Sequence, residues 1–288
     1  MNENVLINSV AMDFESLHYS LDLAAGNGLT LSSELTAALQ TSLVILKRNY
    51  KFSRVLFWGK ILGLKCDYFI AQGVEEDEMK NRKSLYSLNC MDWHLLPLAT
   101  ESMIADVALA AQGRFTGDPS HEYEHTEMRI KGEGDDATEE EVTVKVNEAS
   151  RLATTVSNID KDVSVMPRGA FTKSPCGKVQ TNRSFGGLDP VEAVKPHNYL
   201  HFREPVNLKK KSILEMSHLN PVIDFLDPLS EDVPKGSWCL QLERGSTVCV
   251  LRSLLWLGLT FFHVPQTPQH GHIYMGDGLM NLDLPFML

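Results

Sequence analysis

Gly236-Ser-Trp-Cys-Leu-Gln-Leu-Glu-Arg-Gly245, running into Leu251-Arg-Ser-Leu-Leu-Trp-Leu-Gly-Leu-Thr-Phe-Phe262, carries the strongest strand signal in the chain. Trp238–Glu243 and Thr247–Leu251 flank Arg244-Gly-Ser246, a short turn supplied with the glycine that a tight hairpin uses. Leu259–Val264 and His272–Met275 read as the next strands, with Gly276-Asp-Gly278 as a further turn. A second apolar block, Arg54-Val-Leu-Phe-Trp-Gly-Lys-Ile-Leu-Gly63, lies far upstream. There Arg54–Leu62 and Asp67–Gln72, broken at Gly63-Leu-Lys65, read as a hairpin, and Lys83–Asn89 as another strand. Three of the four tryptophans, Trp58, Trp238 and Trp256, sit in these blocks with no nucleophile or metal-ligand cluster among them. Aromatic residues at that density supply core and interface area.

Helical periodicity frames the strands. Leu35, Ala38, Leu39, Leu43 and Leu46 form one apolar stripe, with Thr30 or Ser32 available as N-cap and Lys47-Arg48 at the C-terminal end. A shorter helix is expected over Phe14–Leu23, joined to the first across Gly26-Asn-Gly28 as a helical hairpin. Thr100–Gln112 reads as a third helix. Val142–Val146 alternates cleanly, and Arg151–Asp160 and Val163–Met166 read as continuing strand until Pro167-Arg-Gly169 turns the chain. Lys173–Pro221, rich in Pro, Gly and Asn, is expected to be an irregular surface excursion with one short helix near Pro190–Val194.

The expected fold class is α+β, an N-terminal helical hairpin packed on a mainly antiparallel β body. It is read as one domain, residues 1–288, closed by its two apolar blocks in a common sheet system. Within it come a helical segment (1–48), a β-rich part (49–131), an exposed acidic loop (132–141) and a second β-rich part (142–288).

Composition narrows the function classes. Hydrophobic residues make up 43% and charged residues 22%, ordinary values for a globular protein. The net charge is −10, and six acids between Glu133 and Glu141 account for most of it. An acidic chain lacks the counterion release that drives nucleic-acid binding, and it is repelled by anionic lipid and by acidic microtubule surfaces. Five cysteines with no Cys-x-x-Cys pair argue for reduced thiols in a cytosolic compartment. No signal peptide is visible, and the longest nearly apolar run, Ser253–Val264, is too short for the ~20 residues of a membrane span. A soluble intracellular protein is expected.

The most suggestive chemical motif is His121-Glu-Tyr-Glu-His125. It fits both orders of the zinc-peptidase signature, in which two histidines one helical turn apart hold zinc beside a general-base glutamate. A metal-dependent hydrolase on His121, Glu122 and His125 is therefore the rival reading. Its context is against it: Gly117-Asp-Pro-Ser120 is a turn, and the residues between the histidines are polar. The plain reading is a turn leading into a polar, half-exposed strand or helix start. No phosphate-binding loop and no Gly-x-Ser-x-Gly elbow occurs. Lys209-Lys-Lys211, the only basic run, reads as a solvated face or a patch for an acidic partner. Cys239 and Cys249 share a hairpin whose register the residues leave open. No catalytic, cofactor-binding or metal residue is assigned, and no cofactor is expected.

Leu282-Asp-Leu-Pro-Phe-Met-Leu288 is unusually apolar. Leu284, Phe286 and Leu288 are expected either to dock on the protein's own body or to insert into a neighbour. A free adaptor offering this stretch as a peptide ligand is a third reading.

The two apolar blocks, together with Tyr86-Ser-Leu-Asn-Cys90, Gly113-Arg-Phe-Thr-Gly-Asp-Pro-Ser120 and Asp283-Leu-Pro-Phe-Met-Leu288, resemble the radial spoke head protein 9 family. The matches run in order from about Leu21 onward. The family's pattern reads Gly-Asp-Pro-Ser, any residue, then Glu-Tyr-Glu-His, so His121 lies outside the shared motif. The resemblance implies a non-enzymatic subunit of the axoneme in motile cilia and flagella. Its implied partners are other spoke head proteins, the related pair of the 4 and 6 type and the repeat-rich spoke head protein 1. Its implied role is to carry mechanical signals between the central pair and the dynein-bearing doublets.

Overall fold

The computed structural model describes residues 16–25, 28, 30–131 and 138–287. Two helices, α1 (Leu17–Ala24) and α2 (Ser33–Tyr50), precede strands β1 (Arg54–Ile61), β2 (Tyr68–Val74), β3 (Lys83–Ser87) and β4 (His94–Leu95). Helix α3 (Glu101–Ala110) leads to a long hairpin, β5 (Glu122–Lys131) and β6 (Thr138–Asn147), and then to α4 (Glu148–Val163). Short elements follow: β7 (Val165–Pro167), β8 (Phe171–Lys173), β9 (Val179–Thr181), α5 (Pro190–Ala193), β10 (Tyr199–His201) and α6 (Ile213–Ser217). The chain ends in β11 (Trp238–Glu243), β12 (Val248–Ser253), β13 (Leu259–His263), β14 (His270–Gly276) and α7 (Leu284–Met287).

Eight strands form one sheet in the order β11-β12-β13-β14-β1-β2-β3-β4. Every pairing is antiparallel except β1 with β14, which run parallel and join the two apolar blocks. Side chains alternate between two covered faces. Val55, Phe57, Phe69, Ala71, Val250, Phe262 and Ile273 point to one face, under Leu17, Leu23, Leu39, Leu43 and Leu46 of α1 and α2. Trp58, Ile61, Tyr68, Ile70, Leu259 and Tyr274 point to the other, against Leu152, Val156, Ile159 and Val163 of α4. Covering both faces explains why these strands read as nearly continuous apolar runs. A bulge at Trp58 shifts the register between β1 and β2, and on the β14 side Gly59, at φ 146°, lies so close to Tyr274 that an added Cβ would meet its carbonyl oxygen at 2.0 Å.

The α+β class and the mainly antiparallel sheet are as expected. Ser32 caps α2 by accepting from Leu35 N–H at 3.3 Å. The helical pair is looser than a hairpin, because α1 and α2 each lean on the sheet more than on one another. Phe14 and the Gly26-Asn27 break lie outside the described residues. Cys239 and Cys249 are not cross-strand partners, since the register sets Cys239 opposite Arg252 and Cys249 opposite Leu242.

Three expectations are corrected. Arg151–Asp160 is helix, not strand: Asn147 caps α4 by accepting from Ser150 N–H at 2.8 Å, and Leu152, Val156, Ile159 and Val163 recur at helical spacing on the buried side. The β-branched Thr154-Thr155-Val156 run imitates a strand. The acidic stretch is not a loop throughout. Thr138–Glu141 belong to β6 and pair in register with Met128–Lys131, because backbone ladder bonds continue the alternating Val142–Val146 strand whatever charges the side chains carry. Residues 132–137 lie outside the described residues. The 173–221 excursion holds the expected helix as α5, yet it is not all surface: Ala193 and Tyr199 are buried against Cys249, Leu251 and Phe261 of β12 and β13, and Val179 and Leu200 are buried in a separate cluster with Met166, Phe171 and Phe202.

Candidate functional site

Glu148 opens α4 and is wholly buried. Its Oε1 accepts from Tyr68 Oη and Gly117 N–H, both at 2.7 Å. Its Oε2 accepts from Thr116 N–H at 2.9 Å, Thr116 Oγ1 at 2.5 Å and Tyr123 Oη at 2.7 Å. Burial alone would raise the pKa of this carboxyl, but the donors outweigh it and hold the group at about 2. One turn on, the buried Arg151 donates to Tyr123 Oη at 2.9 Å and to the carbonyls of Gly113 and Arg114, with its guanidinium 4.2 Å above the Phe115 ring. The 113–117 stretch, β2, β5 and α4 are thus tied through one carboxylate and one guanidinium. Each polar atom is consumed by a neighbour, so the cluster binds elements together and offers no free acid or base.

The zinc motif has the wrong backbone. His125 lies within β5 and His121 just before it, and at ~3.3 Å rise per residue four positions separate the two by ~13 Å. His121, Glu122, Glu124 and His125 are exposed, and Glu124 pairs with Lys145 at 2.5 Å. Tyr123 alone turns inward, to Glu148. Among the described residues no group of His, Cys, Asp or Glu is placed to hold a metal ion, and no helix is long and apolar enough to cross a membrane.

What the described surface offers is apolar area. In the C-terminal stretch Leu284 is buried at 2% exposure, while Phe286 is 88% exposed and Leu282 and Met287 also face outward. Asn281 moors the stretch, donating from its backbone to Leu255 O at 2.8 Å and from its side chain to Leu254 O at 2.9 Å. The tail is therefore split, with one leucine docked at home and the neighbouring aromatic presented outward; Leu288 lies outside the described residues. Ile213 and Leu214 of α6 are likewise exposed, beside the basic run. In that run Lys211 pairs with Glu231 at 2.6 Å, and Lys209 reaches Glu204 at 3.8 Å.

A cleft of about 460 Å³ opens between the β3–β4 side of the sheet, the C-terminal end of α4 and the 202–204 segment. At its floor Asp160 accepts from Trp58 Nε1 at 2.7 Å and Gln72 Nε2 at 2.5 Å. Burial pushes the Asp160 carboxyl up, opposed by the nearby Arg82. Burial likewise pulls the Arg82 guanidinium down.

A model of the radial spokehead-like protein family matches residues 8–175. Over 277 residues the chain is 84% identical to a radial spoke head protein 9 homolog of Danio rerio, covering 96% of this chain and all of the relative. Homologs of the same name from Bos taurus and Homo sapiens are 56% and 54% identical over the same shares. The chain belongs to the radial spoke head protein 9 family.

For this radial spoke head protein 9 family member, the matched 8–175 region takes in Tyr68, Thr116, Tyr123, Glu148 and Arg151, so the carboxylate-centred junction lies within the part by which the family is known. The Gly113–Ser120 motif had been readable only as part of the family resemblance, with Gly117–Ser120 as a turn. Its Thr116 and Gly117 backbone amides are in fact aimed at Glu148. The one local hint was Asn147-Glu148 before an apolar 3.6-residue period, a helix start with an acid in its first turn.

Proposed function

We propose that the protein is a non-enzymatic structural subunit of the radial spoke head in the axoneme of motile cilia and flagella. It packs against other spoke head proteins, the 4 and 6 type pair and the repeat-rich spoke head protein 1. By completing the head it supports ciliary assembly and motility, letting the spoke pass mechanical signals from the central pair to the dynein-bearing doublets. The observation that carries this reading is 84% identity across the whole length of a relative named as a radial spoke head protein 9 homolog. Buried polar groups spent on joining elements, and apolar side chains left at the surface, are what a permanent subunit needs, because obligate interfaces resemble a core cut in two. A zinc hydrolase on His121, Glu122 and His125 has no helix to bring its ligands together. Direct contact with nucleic acid, membrane or the microtubule wall is disfavoured by the net charge of −10.

The test is to express the tagged chain in ciliated cells lacking their own copy. The tagged protein should stay with detergent-extracted axonemes, restore the spoke head density in tomograms and restore beating. Recovery in the soluble matrix with heads still missing would refute the assembly role and favour a free adaptor.

A further inference from the structure

The cleft beside β3 and β4 has a charge opposite to that of the chain. Five cations line it, Lys80, Arg82, Lys83, Lys161 and Arg203, against the two carboxylates Asp160 and Glu204. Arg82 lies near Asp160, and Lys83 pairs with Glu75 at 3.0 Å. Lys80 and Lys161 make no ion pair among the described residues, while Arg203 lies near the buried Asp227 at longer range than an ion pair. Two buried donors are also unspent: Ser164 Oγ, on a residue 4% exposed, and Arg203 Nε. Buried donors without acceptors are rare, and they mark a place where an acceptor belongs.

One wall is apolar. Leu95, Leu96, Pro97 and Leu98 run past the sheet edge, with Leu98 76% exposed, and Phe202 faces them beneath the Arg82 guanidinium at 4.8 Å. Pro97 cannot donate to a further strand, so recognition there falls to side chains instead of an added ladder. A volume of about 460 Å³ lies within the roughly 300–1,000 Å³ of ligand sites. A lone inorganic anion would leave the leucine wall wet, whereas a peptide carrying both acids and an apolar side chain matches both walls.

We propose that this cleft docks an extended acidic segment of a partner protein, its carboxylates meeting Lys80, Lys161 and Arg203 and an apolar side chain lying between Leu98 and Phe202. That the partner is a neighbouring spoke head subunit rests on the functional reading above; the binding itself does not.

The experiment is fluorescence anisotropy on the full chain, with fluorescein-labelled Glu-Asp-Glu-Leu-Asp-Glu-Leu as probe, at low and high salt. The exposed pair is reversed in K80E/K161E, which leaves the packed core untouched, and the uncharged L98S tests the apolar wall. The acidic peptide should bind the wild-type protein and weaken with salt. The double reversal should weaken it about tenfold, with an unchanged melting temperature, and L98S should weaken it independently of salt. A Lys-for-Glu version of the peptide should not bind. No binding by the wild type would overturn the proposal, as would indifference to the reversal. Equal displacement by inorganic phosphate or by anionic vesicles would overturn it in favour of a simple oxyanion or lipid site. A wild-type chain that fails to bind the peptide yet incorporates normally into axonemes removes the docking site alone. Peptide binding by a chain that never joins axonemes removes the assembly reading alone.

Discussion

Acidification should destabilise this protein well before its carboxylates titrate, because three histidines packed in its interior are held neutral. His263 is fully buried, and its tautomer is set by its neighbours: Nδ1 donates to Gln269 O at 3.0 Å while Nε2 accepts from Leu188 N–H at 3.1 Å. A proton on Nε2 would face another donor. His270, 4% exposed, donates from Nδ1 to Pro268 O at 2.9 Å, and its ring lies 6.4 Å from that of His263. Burial pushes the two imidazoles down to about 4 and about 3, with Arg54 and His272 adding to the effect on His270. His272, beside Arg82, is pushed down by burial to about 4 as well. The folded pKa values lie below the ordinary ~6.5, so the unfolded chain binds more protons between about pH 6.5 and pH 4. Stability from these groups is present above that window and lost as pH falls through it. Going from pH 7.5 to 5.0, His263, His270 and His272 each forfeit roughly 2 kcal/mol, or about 6 together, against a typical total of 5–15 kcal/mol. Glu148, held at about 2, contributes its own acid loss only below about pH 4.5, outside this comparison. Asp160, raised by burial, works in the opposite direction and trims the slope. Urea unfolding followed by circular dichroism at pH 7.5, 6.5, 5.5 and 5.0 measures the effect. In H270N, which keeps a donor for Pro268, about a third of the slope should disappear. A fall of less than ~1 kcal/mol over the range, or an unchanged slope in H270N, would refute the reasoning.

Glu148→Gln puts an N–H pair among five donors and should cost about 3 kcal/mol or more in urea unfolding at neutral pH; a change under ~1 kcal/mol would show the junction to be dispensable. Gly59→Ala should destabilise by about 2 kcal/mol or more, since its Cβ would strike the Tyr274 carbonyl, whereas Gly113→Ala, at φ 83° with open space around it, should cost only about 1. Leu284→Ala should lower stability by about 2 kcal/mol or more, while Phe286→Ala should leave the melting temperature alone and reduce incorporation into axonemes. Equal melting losses in both tail variants would show that Phe286 also packs at home.

The sheet was legible because its strands are buried on both faces. Runs such as Arg54–Ile61 and Leu259–His263 need no partner information to be read as strands, and their turns carry glycine. Helix α4 was misread because Thr154-Thr155-Val156 has strand-like residues inside a helical period, and the period only emerges once Leu152, Ile159 and Val163 are counted with it. The Glu148 junction was illegible for another reason. Its donors, Tyr68, Thr116, Gly117 and Tyr123, are spread from position 68 to position 123, and only the tertiary fold brings them to one carboxylate. The His121–His125 motif misled in the opposite sense, since its spacing has chemical meaning only on a helix and here it falls on β5.

The parallel pairing of β1 with β14 also bears on how the protein is made. Tyr274 pairs with Gly59 and Leu259 alike, so the strand wedged between the two halves of the sheet is the one the ribosome delivers last. Until it emerges, β1 and β13 each expose an open edge, and the growing chain must be kept from pairing with other nascent chains. A premature stop between β13 and His270 would therefore remove not a peripheral strand but the seam itself, leaving two part-sheets with no strand pairing to join them.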